Sequence, residues 1–156
     1  MAATTKGRED PQLMFTNTAT AGGGDNYYCA GPETQQGYGG VISFCDKATA
    51  GSASFKAWTG AGAPPKGSTV GGEISFSNSA SAGTARFSIY GTLGSDGDTF
   101  GNVVFHDTAT AKNATFTNVG GTVSVVMAVI LSSTETQPPP TVSSTTGWNT
   151  QQGQRR

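Results

Sequence analysis

The feature that most restricts how this chain can fold is one pattern of residues written several times. Phe105-His-Asp-Thr-Ala-Thr-Ala-Lys-Asn-Ala-Thr-Phe116 matches Phe76-Ser-Asn-Ser-Ala-Ser-Ala-Gly-Thr-Ala-Arg-Phe87 and Phe44-Cys-Asp-Lys-Ala-Thr-Ala-Gly-Ser-Ala-Ser-Phe55. A degraded copy opens at Phe15-Thr-Asn-Thr-Ala-Thr-Ala-Gly22. The leading Phe recurs at 15, 44, 76 and 105, in steps of 29, 32 and 29 residues, and the closing Phe at 55, 87 and 116. Such a period means stacked units that cannot bury their apolar faces alone. Of the 8 Phe residues, all but Phe100 occupy these two positions. That economy predicts ladders of stacked rings inside a narrow core.

The local pattern is that of strands. Short runs precede each leading Phe, the last three directly after glycine: Leu13-Met14, Val41-Ile42, Glu73-Ile74 and Asn102-Val103-Val104. Beyond the Phe, residue type alternates with period two. Phe105, Asp107, Ala109 and Ala111 share one parity, and His106, Thr108 and Thr110 share the other. A buried carboxylate is costly, so the Asx column (Asn17, Asp46, Asn78, Asp107) is placed at a corner, where its side chain can bond a turn amide. Gly22, Gly51 and Gly83 mark a second corner, and Lys112 replaces glycine there in the last copy. The fold class expected is all-β: a short parallel β-helix, or β-solenoid, of about four coils. An antiparallel sandwich also gives short strands between Gly-rich turns, but it gives no reason for its strands to share one motif. No segment carries a sustained helical period.

Hydrophobic residues are 35% of the chain, low for a globular core. A core one coil wide tolerates this, because Ala, Ser, Thr and Gly can fill it. With 23 Gly, 12% charged residues and a net charge of −1, nothing in the composition attracts phosphates or an anionic membrane. Nucleic acid is therefore not an expected partner. Residues 1–10 read as a flexible leader; no apolar core follows their basic residues, so they are not a secretory signal. Residues 11–131 form the repeat domain. Residues 132–156, rich in Ser, Thr, Gln and Pro, are expected to be a disordered tail. The apolar run at 123–131 is too short for a membrane span. It is expected to close the core and to leave an uncharged strand edge through which coil ends self-associate.

Between the copies lie Gly-rich inserts, at 31–40, 60–72 and 91–101. They occupy the same place in each coil and should emerge from one edge, where binding residues gather in repeat proteins. Tyr38, Lys66, Asp96 and Asp98 are the candidate binding residues of that edge. Asp96-Gly-Asp98 supplies too few carboxylates for a calcium site. Residues 62–69 carry the letters of a phosphate loop in the wrong order, with prolines where amides are needed. Cys29 and Cys45 are the only cysteines, and they form either a disulfide at the N-terminal end or two separate thiols. No zinc ligand set exists around them. Cys45 and His106 lie in one outward column two rungs apart, roughly 9.5 Å, too far for a nucleophile and its base. No catalytic residues and no cofactor are read from the sequence. The outward Thr and Ser columns would form a flat face, and an ice-binding role for it ranks below a plain solubilising one.

At 105–121 the residues Phe-x-Asp-x-Ala-Thr-Ala-Lys-x-Ala-Thr-Phe-Thr-Asn-x-Gly-Gly are at their most complete. They resemble the β-helical repeats of large bacterial surface proteins, including autotransporter passenger regions, over roughly residues 11–121. The resemblance implies a stalk or scaffold at the cell surface or outside the cell. It implies a non-catalytic structural or adhesive module that contacts glycan or protein partners through its inserts. The alternative is a carbohydrate-binding or carbohydrate-active β-helix of the pectate-lyase type, whose groove of acidic ligands has no counterpart among these residues.

Overall fold

The computed structural model describes residues 11–31, 39–59, 71–91 and 100–120, together with a strand at 142–145. The strands are β1 (Gln12–Phe15), β2 (Gly23–Cys29), β3 (Val41–Phe44), β4 (Ser52–Ala57), β5 (Glu73–Phe76), β6 (Arg86–Tyr90), β7 (Asn102–Phe105), β8 (Thr115–Val119) and β9 (Val142–Thr145). The chain alternates between two parallel sheets, ordered β1-β3-β5-β7 and β2-β4-β6-β8-β9. Among the described residues there is no helix, and none long and apolar enough to cross a membrane.

The strands of the first sheet alternate. Ile42 and Phe44 are buried while Val41 and Ser43 are half-exposed, and β5 and β7 repeat this residue for residue. Register places like on like: Phe15, Phe44, Phe76 and Phe105 are partners in the first sheet. Tyr27, Phe55, Phe87 and Phe116 are partners in the second. The first ladder stacks its rings at 4.7 Å with interplanar angles of 5–7°. The second stacks at 5.0–5.1 Å. The ladders meet edge to face, as Phe44 does Phe55 at 5.8 Å and 82°. Both arrangements are ones that aromatic quadrupoles favour. Buried alanines 48, 50, 53, 80, 82, 85, 109, 111 and 114 fill the rest.

The strands stop where the Asx column begins. Asn17, Asp46, Asn78 and Asp107 all have positive φ, from 54° to 60°, a conformation that short polar side chains tolerate best after glycine. A turn closes across each, for example from Ala48 N–H to the Cys45 carbonyl at 3.0 Å. The Asx side chains are exposed and tie successive rungs together. Asn17 N–H donates to Asp46 Oδ2 and Asn78 N–H to Asp107 Oδ2, both at 2.9 Å. Asn78 Nδ2 donates to Asp46 Oδ1 at 3.4 Å. After the turn a single residue bridges rung to rung: Thr20, Thr49, Ser81 and Thr110. The second corner follows at Gly22, Gly51, Gly83 and Lys112, again with positive φ.

Three expectations need correction. The alternation of Phe105, Asp107 and Ala109 is not one strand face, because the turn at His106–Ala109 exposes Asp107 and buries Ala109. The same turn bends the Thr and Ser columns around a corner, so 16/18/20 and their equivalents do not form a flat array. Finally, Val142–Thr145 is not tail but β9, which extends the second sheet with Phe116 opposite Val142. The apolar run at 123–131 lies outside the described residues.

The irregular first copy also has a simple cause. Gly23 pairs with Ser52 but Asn26 with Ser54, so β2 carries one extra residue in a bulge. Gly24 takes up the bend at φ 83°. Downstream of the bulge Tyr27 regains the place of the closing Phe. Its hydroxyl, which Phe lacks, donates to the Ala21 carbonyl at 2.9 Å.

Candidate functional site

Every insert leaves the frame through the same neck. Gly40 N–H donates to the Ala30 carbonyl at 2.8 Å, Gly72 N–H to the Trp58 carbonyl at 2.8 Å, and Gly101 N–H to the Tyr90 carbonyl at 2.9 Å. Residues 40–58, 72–90 and 101–119 therefore correspond one to one, and the unequal steps of the repeat come from the inserts and from the β2 bulge. The neck glycines are required by space. A Cβ on Gly72 would collide with the Cys29 carbonyl, one on Gly101 with the Ala57 carbonyl, and one on Gly71 with the Phe100 carbonyl. Tyr38, Lys66, Asp96 and Asp98, the candidates for the insert edge, lie outside the described residues.

The frame places other side chains beside the necks. Trp58 and Tyr90 follow β4 and end β6, on the outward parity of the second sheet. Their rings stack at 3.9 Å and 6°, both half-exposed, at the roots of the second and third inserts. The preceding position of this ladder is Ala30, too small to cover an indole. Two residues earlier runs the column Tyr28, Lys56, Ser88 and Thr117. Lys56 Nζ sits 5.4 Å from the centre of the Tyr28 ring, within cation–π reach, and Tyr28 is 53% exposed. The next column holds Asn26, Ser54, Arg86 and Thr115. The outer face of the second sheet thus combines aromatic, hydroxyl and basic side chains. The sequence carried a signal for it that motif reading passed over: Trp58 and Tyr90 each stand three residues after a closing Phe.

Cys29 and Cys45 are both free thiols, so the disulfide alternative does not hold in this structure. Cys29 points into the core at the end of β2, donating to the Gly40 and Glu73 carbonyls at 2.7 and 3.1 Å. Burial pushes its thiol up to about 11 from the ordinary 9.0. Cys45 lies half-exposed at the Asx corner, where Ser77 Oγ donates to its sulfur at 3.4 Å. Thiolate is the reactive form, so a thiol reagent at pH 8 is expected to label Cys45 promptly and Cys29 only on unfolding. Two equally fast phases would contradict this placement. Ionising Cys29 also favours the unfolded chain. Its contribution to stability is full below about pH 9 and lost as pH rises through 11.

Among the described residues, no group of three His, Cys, Asp or Glu side chains comes together to hold a metal ion. His106 is exposed on the same corner column as Ser77 and Cys45. Searches of protein-family models, of curated proteins and of solved structures found no match to this chain.

Proposed function

We propose that the chain is a short β-solenoid of about four coils, an adhesive or structural repeat module of a secreted or cell-surface protein. It contacts glycan or protein partners and performs no reaction on them. The observation that carries this reading is the neck: one hydrogen bond, repeated in every interval between 30 and 101, lets inserts of different length leave a frame that does not change. Such a frame separates folding from recognition, as repeat scaffolds do. The likeness of its motif to the repeats of bacterial surface proteins supports the location.

The test replaces residues 60–70 with a short Gly-Ser link. Shortening a loop changes its closure cost by only about 0.6 kcal/mol per halving. The expected result is a thermal midpoint within a few degrees of the parent, with loss of binding to neutral glycans and extracellular proteins on an array. Release of reducing ends from any polysaccharide by the parent chain would overturn the non-catalytic reading. Failure of the variant to fold would overturn the separation of frame from inserts.

A further inference from the structure

We propose that the outer face of the second sheet is itself a binding surface, and that its ligand is an acidic polysaccharide lying along the stacked strands. The proposal rests on the adhesive reading for its setting, but it moves the contact from the inserts to the frame. Charge is the first argument. The chain carries a net charge of −1, yet basic groups gather here. Of Lys47, Lys56, Arg86 and Lys112, the basic side chains among the described residues, Lys56 and Arg86 point outward from β4 and β6, and Lys112 stands exposed at the adjoining corner. Of the four described acids, three sit elsewhere, and the fourth, Asp25, is on the edge strand β2 of this sheet. Asp46 and Asp107 belong to the opposite corner, and Glu73 to the first sheet, where Asn102 Nδ2 donates to it at 3.2 Å. Asp25 lies in the bulge at the start of β2.

Shape and chemistry narrow the ligand. Lys56 and Arg86 stand on neighbouring strands two residues out of step, because Arg86 is opposite Ser54 and Lys56 opposite Ser88. Two cations at that spacing suit widely separated carboxylates and are few for a phosphodiester backbone, whose binding proteins neutralise many charges. Between and around them are hydroxyls, on Ser54, Ser88, Thr115 and Thr117, that can pair with sugar hydroxyls. Beside them runs the Trp58–Tyr90 stack, with its indole face toward Ala30. An aromatic face is electron-rich and accepts the polarised C–H groups of a pyranose. Parallel in-register strands line these residues up in columns along the stack, a shape that suits a linear polymer better than a folded protein.

Affinity electrophoresis of the full chain in gels containing carboxymethylcellulose or hydroxyethylcellulose tests this, since the two polymers share a backbone and differ in carboxylates. The expected result is retardation by the first alone, largely abolished at about 0.5 M salt, where screening shortens the reach of charge. Lys56→Gln with Arg86→Gln should weaken it at least about tenfold, and Trp58→Ala by a similar factor; Lys47→Gln should leave it unchanged. Equal retardation in both polymers, no retardation in either, or retention of binding by the Lys56/Arg86 variant would overturn the proposal. So would equal binding of single-stranded poly-deoxythymidylate. The chain with residues 60–70 replaced should still be retarded. If it is not, while the Lys56/Arg86 variant is, the contact belongs to the inserts and the face proposal fails with the adhesive reading intact.

Discussion

Phe76→Ala is expected to lower the stability of the folded chain by about 3–5 kcal/mol, the range for a buried Phe emptied of its ring. Phe76 is fully buried and stands in the interior of its ladder, stacked at 4.7 Å on both Phe44 and Phe105 and edge-on to Phe87 at 6.0 Å. Truncation removes all three ring contacts, each worth about 0.5–1.5 kcal/mol beyond simple burial. The cavity cannot close, because the neighbouring rings are held at strand spacing by backbone pairing on either side. Phe15→Ala should cost clearly less, since Phe15 is half-buried and has a single stacked partner, Phe44. Ser79→Ala should stay within about 0.5 kcal/mol, its hydroxyl lying exposed at a turn, 3.3 Å from that of Thr108. Urea unfolding of the three variants checks the order. Equal losses for Phe76 and Ser79 would mean that the ring ladder does not hold the sheets together.

Gly72→Ala is expected to cost about 2–4 kcal/mol, more than any glycine-to-alanine change made for reasons of conformation alone. The added methyl would meet a main-chain carbonyl, that of Cys29, which has no rotamer by which to move aside. Relief requires displacing Gly72, and with it the neck bond to the Trp58 carbonyl and the bond that Asn102 N–H makes to the Gly72 carbonyl at 3.0 Å. Gly24→Ala supplies the comparison. A Cβ there meets nothing within 4 Å, and only the φ of 83° opposes it, a strain of about 1–2 kcal/mol. Thermal or urea unfolding of the pair separates steric exclusion at the neck from left-handed strain at the bulge. A Gly72 variant no less stable than the Gly24 variant would show that the necks are not tightly packed.

How far the sequence could be read depends on what each position obeys. The Phe pairings were legible because one residue type recurs wherever a ring must stack on a ring, and register follows from that. The corners were legible as Asx and Gly positions. Their handedness was not, since Lys112 holds the same left-handed backbone as Gly83 with φ 46°, and a lysine gives no hint of it. The bulge in β2 was hidden because an extra residue in a Gly-rich stretch looks like decay of the motif. β9 was hidden for a different reason. Val142-Ser-Ser-Thr145 sits in polar, proline-rich company, and it becomes a strand through the open edge that β8 offers. At the candidate site, Trp58 and Tyr90 were readable by their common offset from Phe55 and Phe87. Their pairing into one stack follows only once parallel register is known.

The Asx corner carries a consequence for how such a molecule can lengthen. Read along the stack it runs Asn17, Asp46, Asn78, Asp107, so each carboxylate has a neutral amide for a neighbour and borrows its donors. Excising any one interior turn of the chain would bring two carboxylates, or two amides, face to face at strand spacing. Two carboxylates there would repel and would lack the side-chain donor that Asn78 gives Asp46; two amides would offer the main-chain N–H a neutral oxygen in place of a carboxylate. Growth or loss by two turns at a time keeps the sequence of charge and amide unbroken. Turns added or removed in pairs would thus keep like from standing beside like along this corner.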